Sequence, residues 1–259
     1  MKKTSTGTKR TISIAAGLII FTAWYLITRF GGVSELIFPS PKAVCYAFID
    51  IIRDGYKGHS VWQHLGDSLK RIFIAYFLAI LTWVPLGLLC GYSDKVNAIF
   101  EPIIAFFRPL PPLAYYSVLV LWMGIDNESK IMLLYLSSSA SIYIACVTGI
   151  HRIKEDYING ARTLGASEKQ IFKYVMFYAA LPDIFTGLRN SMAAAYSSLV
   201  AAEMVAAVSG IGWMVLDASR YLRSDIIFVG IILMGITGIL LDQILLFLDR
   251  KIVFWKGKS

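Results

Sequence analysis

The sequence has few of the residues from which reactive or metal-binding sites are built. It contains three cysteines and three histidines among 259 residues. The cysteines form no C-x-x-C pair, and Cys90 and Cys146 fall in apolar runs, where a thiol packs as a small buried hydrophobe. No H-E-x-x-H or G-x-S-x-G pattern is present, and the histidines are not at metal-ligand spacing. We therefore expect no metal site and no catalytic residue in this chain.

A near-match to a nucleotide-binding loop also lacks its essential residue. Residues 160–167 read G-A-R-T-L-G-A-S, and Ala166 occupies the position where a phosphate-binding loop has lysine. No strand pattern precedes the segment, and without the lysine nothing reaches the outer phosphates of a nucleotide. We conclude that this segment does not bind ATP. An ATP-driven process would require another chain to bind the nucleotide.

Acidic residues are outnumbered by basic ones, whereas apolar residues are abundant. The formal net charge is +8 and 57% of the residues are apolar, with a mean hydropathy of +0.63. This composition is too hydrophobic for an ordinary soluble domain. In a membrane protein, a basic excess reflects lysine and arginine in cytoplasmic loops more often than nucleic-acid binding. We therefore predict an all-α, multi-pass protein with membrane lipid, and no nucleic acid, as a partner.

Six apolar runs have the length of membrane-spanning helices. They cover residues 11–28, 72–91, 99–123, 129–150, 183–209 and 226–248. The first run is long for the core of a signal peptide and no A-x-A-like site follows it, which favours an uncleaved helix. The third is interrupted at Arg108-Pro109-Leu110-Pro111-Pro112. Such a break at membrane depth is tolerated only where it is buried in protein or lines a cavity.

The distribution of lysine and arginine predicts the orientation of these spans. With the amino terminus inside, the cytoplasmic side receives the basic amino terminus, the loop 151–182 and the carboxyl tail. The predicted division is a cytoplasmic tail at 1–10, a first transmembrane helix at 11–28, a periplasmic segment at 29–65, a membrane core at 66–249 and a cytoplasmic tail at 250–259. Within the periplasmic segment, residues 42–53 have the pattern of an amphipathic surface helix.

The polar loop 151–182 predicts two short helices joined by a glycine turn. An apolar face is expected from residues spaced by four, four and three, namely Ile153, Tyr157, Ala161 and Leu164. Gly165 can end this helix in the left-handed conformation, and Ser167 followed by Gln170 has the pattern of a capping box. The spacing is compatible with a structured connecting loop and with a docking element for a soluble partner.

The same segment resembles the EAA loop of bacterial ABC importer permeases, the cytoplasmic helix-turn-helix that contacts the ATPase. Asn159-Gly160-Ala161 stands at the position of the acidic-Ala-Ala triplet, and Gly165 follows after three residues. Ala161 and Gly165 match the pattern, whereas its apolar-Pro position is Phe177-Tyr178. The resemblance implies that contact with the ATPase involves Asn159, Gly160, Ala161, Leu164, Gly165, Ala166 and Ser167.

Longer stretches are similar to the taurine, aliphatic sulfonate and nitrate branch of these permeases, and most similar to taurine permeases. They are W-Q-H-L at 62–65, R-P-L-P-P-L-A at 108–114, L-W-M-G at 121–124, G-A-S at 165–167, A-L-P at 180–182, T-G-L-R at 186–189, V-A-A-E-M at 200–204 and the tail at 250–257 with Trp255. The resemblance implies the MetI-like fold of type I importers, with six transmembrane helices, in the bacterial inner (plasma) membrane. The cargo that it implies is taurine or another sulfonate, with nitrate or another small solute as the alternative.

The resemblance also implies the partners of this chain. They are a second copy in a homodimer, two ABC ATPase subunits that bind ATP and Mg²⁺, and a periplasmic or lipid-anchored substrate-binding protein. The alternative from a different class is a secondary transporter driven by an ion gradient. Such a protein usually shows two half-repeats and functional acids at mid-membrane, and the sequence shows no such repeat.

Two charged residues are candidates for the substrate path. Arg108 could attract an anionic solute, but it could equally cap the broken helix or snorkel to an interface. Glu203 lies in the fifth span, where an ionisable residue is a functional candidate, and its position near the outer boundary also suits a structural role. Small residues in that span are compatible with internal helix packing or with contact between two copies: Ser191, Ala194, Ala195, Ser198, Ala202 and Ala206.

Overall fold

The fold was analysed in a computed structural model that describes residues 6–255. The predicted all-α class is confirmed. The α-helices are α1 (Thr6–Phe30), α2 (Pro41–Asp54), α3 (Val61–Tyr92), α4 (Asp94–Phe107), α5 (Pro112–Met123), α6 (Asn127–His151), α7 (Glu155–Thr163), α8 (Glu168–Gln170), α9 (Phe177–Ala206), α10 (Ile211–Arg220) and α11 (Ser224–Ile252). A π-helical segment, Ile171–Met176, joins α8 to α9.

The predicted membrane spans correspond to long apolar helices. Within residues 6–255, five helices are long and apolar enough to cross a membrane: Thr11–Phe30, Val61–Tyr92, Asn127–His151, Glu168–Ala206 and Ser224–Ile252. The predicted third span is a bent pair, because α4 and α5 meet at an angle of 100°. The break falls at the proline-rich stretch that the sequence indicated. Counting the bent pair as one span brings the number to six.

Pro182, where the sequence analysis ended the loop, does not interrupt the helix. The sequence ended the loop at residue 182 and began the fifth span at residue 183, but Pro182 lies inside α9 and the helical span begins at Glu168. The second helix of the loop and the fifth span are therefore one continuous element. Proline is tolerated inside a membrane helix because neighbouring groups and local changes of helix type satisfy the freed backbone carbonyl.

The chain divides into two compact units, as far as residues 6–255 describe them. One comprises Met1–His64 and Met214–Leu233, and the other Leu65–Trp213 and Met234–Ser259. Residues 214–233 therefore group with the first unit, whereas the sequence assigned them to the membrane core at 66–249.

The core of the second unit lies between α3, α6 and α9, with the end of α11 against it. Its fully buried members include Ile72, Leu134 and Ile171. Gly187 of α9 allows the close approach of α6, because a Cβ at this position would lie 2.1 Å from the Cβ of Ala145. The predicted small residues of α9 mostly face inward, since Ser191, Ala195, Ser198 and Ala202 are buried. In this chain they serve packing between its own helices.

Candidate functional site

The bend between α4 and α5 opens onto a cavity of about 580 Å³ in the second unit. Helices α4, α5, α6 and α9 contribute to its wall. Most of the lining is apolar, and the polar lining residues are Arg108, Ser137, Ser139, Ser141, Thr148, Asp183, Thr186 and Asn190. The predicted break therefore lines a cavity, which meets the condition under which a membrane helix tolerates it. The volume suits a small solute.

Arg108 is the positive charge of this cavity. It follows the last residue of α4, and its backbone N–H, rather than its side chain, donates to the carbonyl oxygen of Ile104 at 2.9 Å. The side chain is exposed and lines the cavity. Within residues 6–255, its guanidinium has no hydrogen-bond acceptor and no ion-pair partner. An unpaired guanidinium at a cavity wall is available to bind an anion.

One carboxylate that lines the cavity is paired with an arginine that does not line it. Asp183 lines the cavity, and its Oδ1 accepts a hydrogen bond from Nη1 of Arg152 at 2.8 Å. Arg108 also lines a smaller adjoining pocket of about 220 Å³, together with Glu101. Glu101 accepts a hydrogen bond from the Asn97 amide at 2.9 Å. Among the described residues, the lining charge of the main cavity that remains without a partner is therefore positive.

Hydroxyl and amide groups from α6 and α9 line the same cavity as this charge. The Ser137 and Thr186 hydroxyls donate to carbonyl oxygens of their own helices, at 3.0 and 2.9 Å. Asn190 is exposed and lies one helical turn beyond Thr186. The sequence analysis missed Asn190. The signal was a polar residue four positions from another polar residue in an apolar span, which places both on one helix face.

Glu203 is placed away from the cavity, in a buried cluster of the second unit. Its side chain is 1% exposed and is not among the described residues that line the cavity. Oε1 accepts hydrogen bonds from Arg71 Nη1 and from the Ser68 hydroxyl, both at 2.7 Å. Oε2 accepts from the backbone N–H of Gly212 at 2.9 Å. These contacts agree with the structural role that the sequence left open.

Arg71 extends the cluster to three further groups. It donates from Nη1 to the carbonyl oxygen of Ser209 at 3.0 Å, and from Nε to Oδ1 of Asn127 at 2.7 Å. The Ser209 hydroxyl in turn donates to Oδ2 of Asp67 at 2.5 Å. The ion pair of Arg71 and Glu203 therefore joins α3 and α9 to the first residue of α6 and to the segment after α9. Nothing in the sequence marks this pairing, because Arg71 precedes the second apolar run and Glu203 lies 132 positions away in the fifth.

The predicted glycine turn in the loop is confirmed. The φ angle of Gly165 is +83°. Its N–H donates to the carbonyl oxygen of Arg162 at 2.9 Å, and the N–H of Ala166 donates to that of Ala161 at 3.0 Å. This is the Schellman pattern that ends a helix at a left-handed residue. The predicted capping box is also present, and the Ser167 N–H donates to Oε1 of Gln170 at 2.8 Å.

The predicted apolar face of the first loop helix is only partly correct. Ile153 and Ala161 pack against the core of the second unit. Tyr157 and Leu164 are 59% and 90% exposed. The spacing was helical, but α7 ends at Thr163, so Leu164 lies on the turn and not on the helix face.

An ion pair spans the turn. Nε and Nη2 of Arg162 donate to the Glu168 carboxylate at 2.9 and 3.2 Å. This hydrogen bond and the charge of Glu168 raise the pKa of Arg162 above its usual value. Both side chains are exposed, so this ion pair links the residues on either side of the turn at the protein surface and not in the core.

The sequence matches a known family of transport proteins. The family model for binding-protein-dependent transport system inner membrane components covers residues 83–254. The taurine transport system permease protein TauC of Escherichia coli (strain K12) is 37% identical over 249 residues, which are 96% of this chain and 90% of that protein. The putative aliphatic sulfonates transport permease protein SsuC of Bacillus subtilis (strain 168) is 31% identical, covering 92% of this chain and 85% of that protein.

The fold is similar to that of a solved transporter. An inward-facing structure of the MetNI methionine ABC transporter matches with a TM-score of 0.58, at 17% sequence identity. The match covers 71% of this chain and 97% of that chain. At this identity the likeness supports the predicted MetI-like fold and does not bear on the solute.

Proposed function

Because this chain belongs to the family of binding-protein-dependent transport system inner membrane components, we propose that it carries taurine or another small sulfonate across the membrane. The chain is a multi-pass permease subunit of an ABC importer in the inner membrane, and ATP hydrolysis takes place in a separate subunit. Its similarity to the taurine permease TauC and to the sulfonate permease SsuC supports the choice of cargo.

The observation that carries the proposal is the unpaired guanidinium of Arg108 at the cavity wall. Taurine, other sulfonates and nitrate all carry an anionic group. A path for such solutes needs positive charge or free hydrogen-bond donors, without binding so tightly that release stalls. One free arginine and the amide of Asn190, in a cavity with an otherwise mostly apolar lining, meet both requirements.

We propose that the loop around Gly165 transmits the movement of the ATPase to the membrane helices. Partner ATPases would bind ATP and Mg²⁺ and contact the turn at residues 159–167. Their movement would push α7 and the helix that begins at Glu168, which continues without interruption into the cavity wall through α9. The cavity would then open alternately to the two sides of the membrane. This chain makes and breaks no covalent bond in that cycle.

Further partners follow from the family assignment. We propose that two copies of this chain form a homodimer with two ATPase subunits, and that a periplasmic or lipid-anchored binding protein delivers the solute. Glu203 would support the helices around the path rather than contact the solute. The alternative cargo is nitrate or another small solute, and the alternative mechanism is secondary transport driven by an ion gradient.

Uptake in reconstituted vesicles tests the cargo and the mechanism together. The chain is placed in liposomes with its ATPase and binding protein, and ATP-dependent uptake of labelled taurine is measured. The binding protein is titrated calorimetrically with taurine, a longer alkanesulfonate and nitrate. Tight binding of nitrate and of neither sulfonate would overturn the cargo while leaving the permease assignment intact. Gradient-driven uptake by this chain alone would overturn the mechanism.

Substitution of Gly165 tests the coupling proposal. Gly165→Val places a β-branched residue at positive φ, which costs about 1–3 kcal/mol of local strain and should distort the turn. Uptake should fall and the ATPase should co-purify less well, while membrane insertion persists. Gly235→Ala is the control, since Gly235 is helical, has open space around its Cβ position and lies outside the loop. Normal uptake by Gly165→Val would show that the segment is only a linker.

The proposed orientation places residues 151–182 and both termini in the cytoplasm. In a background without Cys45, Cys90 and Cys146, single cysteines at Lys169 and Glu128 should react oppositely with an impermeant maleimide added to intact cells. Glu128 should be labelled and Lys169 protected. Labelling of both from outside would contradict six spans.

A further inference from the structure

Helix α2 of the first unit has three faces rather than two. Its inward face consists of Val44, Ala47 and Ile51, which are buried. Its polar face carries Lys42, Tyr46, Asp50 and Arg53, and the Lys42 ammonium lies 5.6 Å from the centre of the Tyr46 ring. Between them lies an exposed apolar stripe made of Cys45, Phe48, Ile49 and Ile52. Phe48, Ile49 and Ile52 are 40%, 44% and 41% exposed.

The start of α2 is held against the membrane-spanning helix α1. The indole N–H of Trp24 donates to the carbonyl oxygen of Pro39 at 3.0 Å. Trp24 stacks on Phe228 at 5.7 Å between ring centroids, and Phe38 packs edge-on against the same ring at 5.6 Å. Trp24 lies six residues before the end of α1, which is roughly 9 Å along the helix axis. Pro39 is therefore held beside the last turns of α1 and not beyond the end of that helix.

The beginning of α2 is fixed immediately after this tether. Ser40 is the N-cap, and its hydroxyl oxygen accepts a hydrogen bond from the N–H of Ala43 at 3.2 Å. Pro41 occupies the first helical turn, where its missing N–H is not needed. The helix thus starts within two residues of a carbonyl bonded to a membrane span. It cannot move far from the membrane surface without breaking the Trp24 contact.

We propose that α2 lies in the bilayer interface on the side where α1 ends, with its Cys45–Phe48–Ile49–Ile52 stripe in lipid. The apolar window of α1 has none of its residues buried in the protein, so nothing within residues 6–255 separates it from lipid. The stripe of α2 continues that lipid-facing surface. Lys42 and Arg53 lie along one edge of the stripe and face the phosphates of the headgroups. Trp24 and Tyr46 occupy the interfacial level that aromatic residues favour.

Two features favour lipid over a protein as the occupant of the stripe. The edge of the polar face next to the stripe carries Lys42 and Arg53, which can pair with lipid phosphates, whereas Asp50 lies farther round the helix. Trp24 also ties α2 to a helix that is already exposed to lipid, so no separate partner is needed to cover the stripe. This proposal concerns only the first unit and is independent of the cargo.

Native Cys45 allows a direct test. Cys45 is exposed, whereas Cys90 and Cys146 are buried, so a nitroxide reagent should label the unaltered chain at one position. The full complex is placed in liposomes of phosphatidylethanolamine and phosphatidylglycerol. The collision rates of the label with oxygen, which concentrates in lipid, and with a water-soluble nickel chelate are measured. We expect the ratio of oxygen to nickel accessibility to be several-fold higher than for a label in water.

The matched control moves the label to the polar face. Cys45→Ser should abolish labelling, and Asp50→Cys in the same background should give a ratio typical of the aqueous phase or the outer headgroup region. An aqueous ratio at Cys45 would overturn the proposal. A Cys45 label shielded from both oxygen and the nickel chelate would also overturn it, because the stripe would then be covered by protein.

Discussion

Arg71 and Arg108 are two arginines in the membrane-spanning part of the second unit with opposite surroundings. Arg71 is 7% exposed and binds a carboxylate, a backbone carbonyl and an amide oxygen. Arg108 is exposed to an open cavity and, within residues 6–255, has no acceptor. A buried charge must be fully paired, and pairing leaves it no capacity for a solute. We therefore propose the unpaired arginine, and not the paired one, for the substrate path.

The largest effect is expected from breaking the buried pair. Arg71→Ala leaves the Glu203 carboxylate buried without its cation and should cost about 3–5 kcal/mol of stability. The thermal unfolding midpoint in detergent and the yield of assembled complex should both fall. The double change Arg71→Met with Glu203→Met removes both charges and should be less damaging than the single change. An unaltered midpoint for Arg71→Ala would contradict the structural role of the cluster.

A second large effect is expected where α6 and α9 form the cavity wall. Gly187→Ala introduces a Cβ only 2.1 Å from that of Ala145, so the helices must separate. Overpacking of this kind costs about 1–3 kcal/mol and should lower both the unfolding midpoint and uptake. Ala145→Gly added to Gly187→Ala should restore part of both quantities. If Ala145→Gly does not rescue Gly187→Ala, the clash between α6 and α9 is not the cause of the lost stability and uptake.

Substitution of Arg108 should lower transport and not stability, in contrast to substitution of Arg71. Arg108→Ala should leave the unfolding midpoint and the assembly unchanged, because the side chain has no partner within residues 6–255. Uptake at low solute concentration should fall at least about tenfold, since a hydrogen bond to a charged group contributes about 1.5–3 kcal/mol. Arg108→Lys keeps the charge and should retain part of the uptake. Full uptake by Arg108→Ala would remove this residue from the substrate path.

The smallest effect is expected at the exposed pair across the glycine turn. Arg162 and Glu168 are 52% and 53% exposed, so solvent and salt screen their attraction. Arg162→Ala should shift the unfolding midpoint far less than Arg71→Ala, and the shift should vanish in about 1 M salt. A drop in uptake without a drop in stability would indicate that the arginine contacts the ATPase. A shift as large as that of Arg71→Ala would contradict the conclusion that burial makes the Arg71–Glu203 pair more important for stability than the exposed pair.

Elements specified by local sequence were predictable. The apolar runs predicted the membrane helices because a span needs about 20 apolar residues, whatever its neighbours are. Gly165 predicted the turn because a left-handed helix end favours glycine in any context. The proline-rich stretch after Arg108 predicted the break between α4 and α5 because proline lacks a backbone N–H and its ring clashes with the preceding helical turn. In each case the signal lies within a few residues.

Contacts between distant residues were not predictable in this way. Arg71 and Glu203 are 132 positions apart, and nothing in either neighbourhood marks the other as its partner. Asn190 and Arg108 face the same cavity only because α9 packs beside the bent pair. Pro182 looked like a helix boundary because proline breaks an isolated helix, whereas the packed and apolar surroundings of α9 allow the helix to continue.

Local chemistry thus specified that this chain is helical, lies in a membrane and carries a capped glycine turn in its longest polar loop. The roles of its charged residues came from packing. A charge in an apolar surrounding is costly unless partners meet it, and whether they do depends on how the helices assemble. Packing places Arg71 beside Glu203, whereas the part of the chain that the structure describes offers Arg108 no acceptor. The sequence alone could not distinguish these two outcomes, because both residues lie in similar apolar spans.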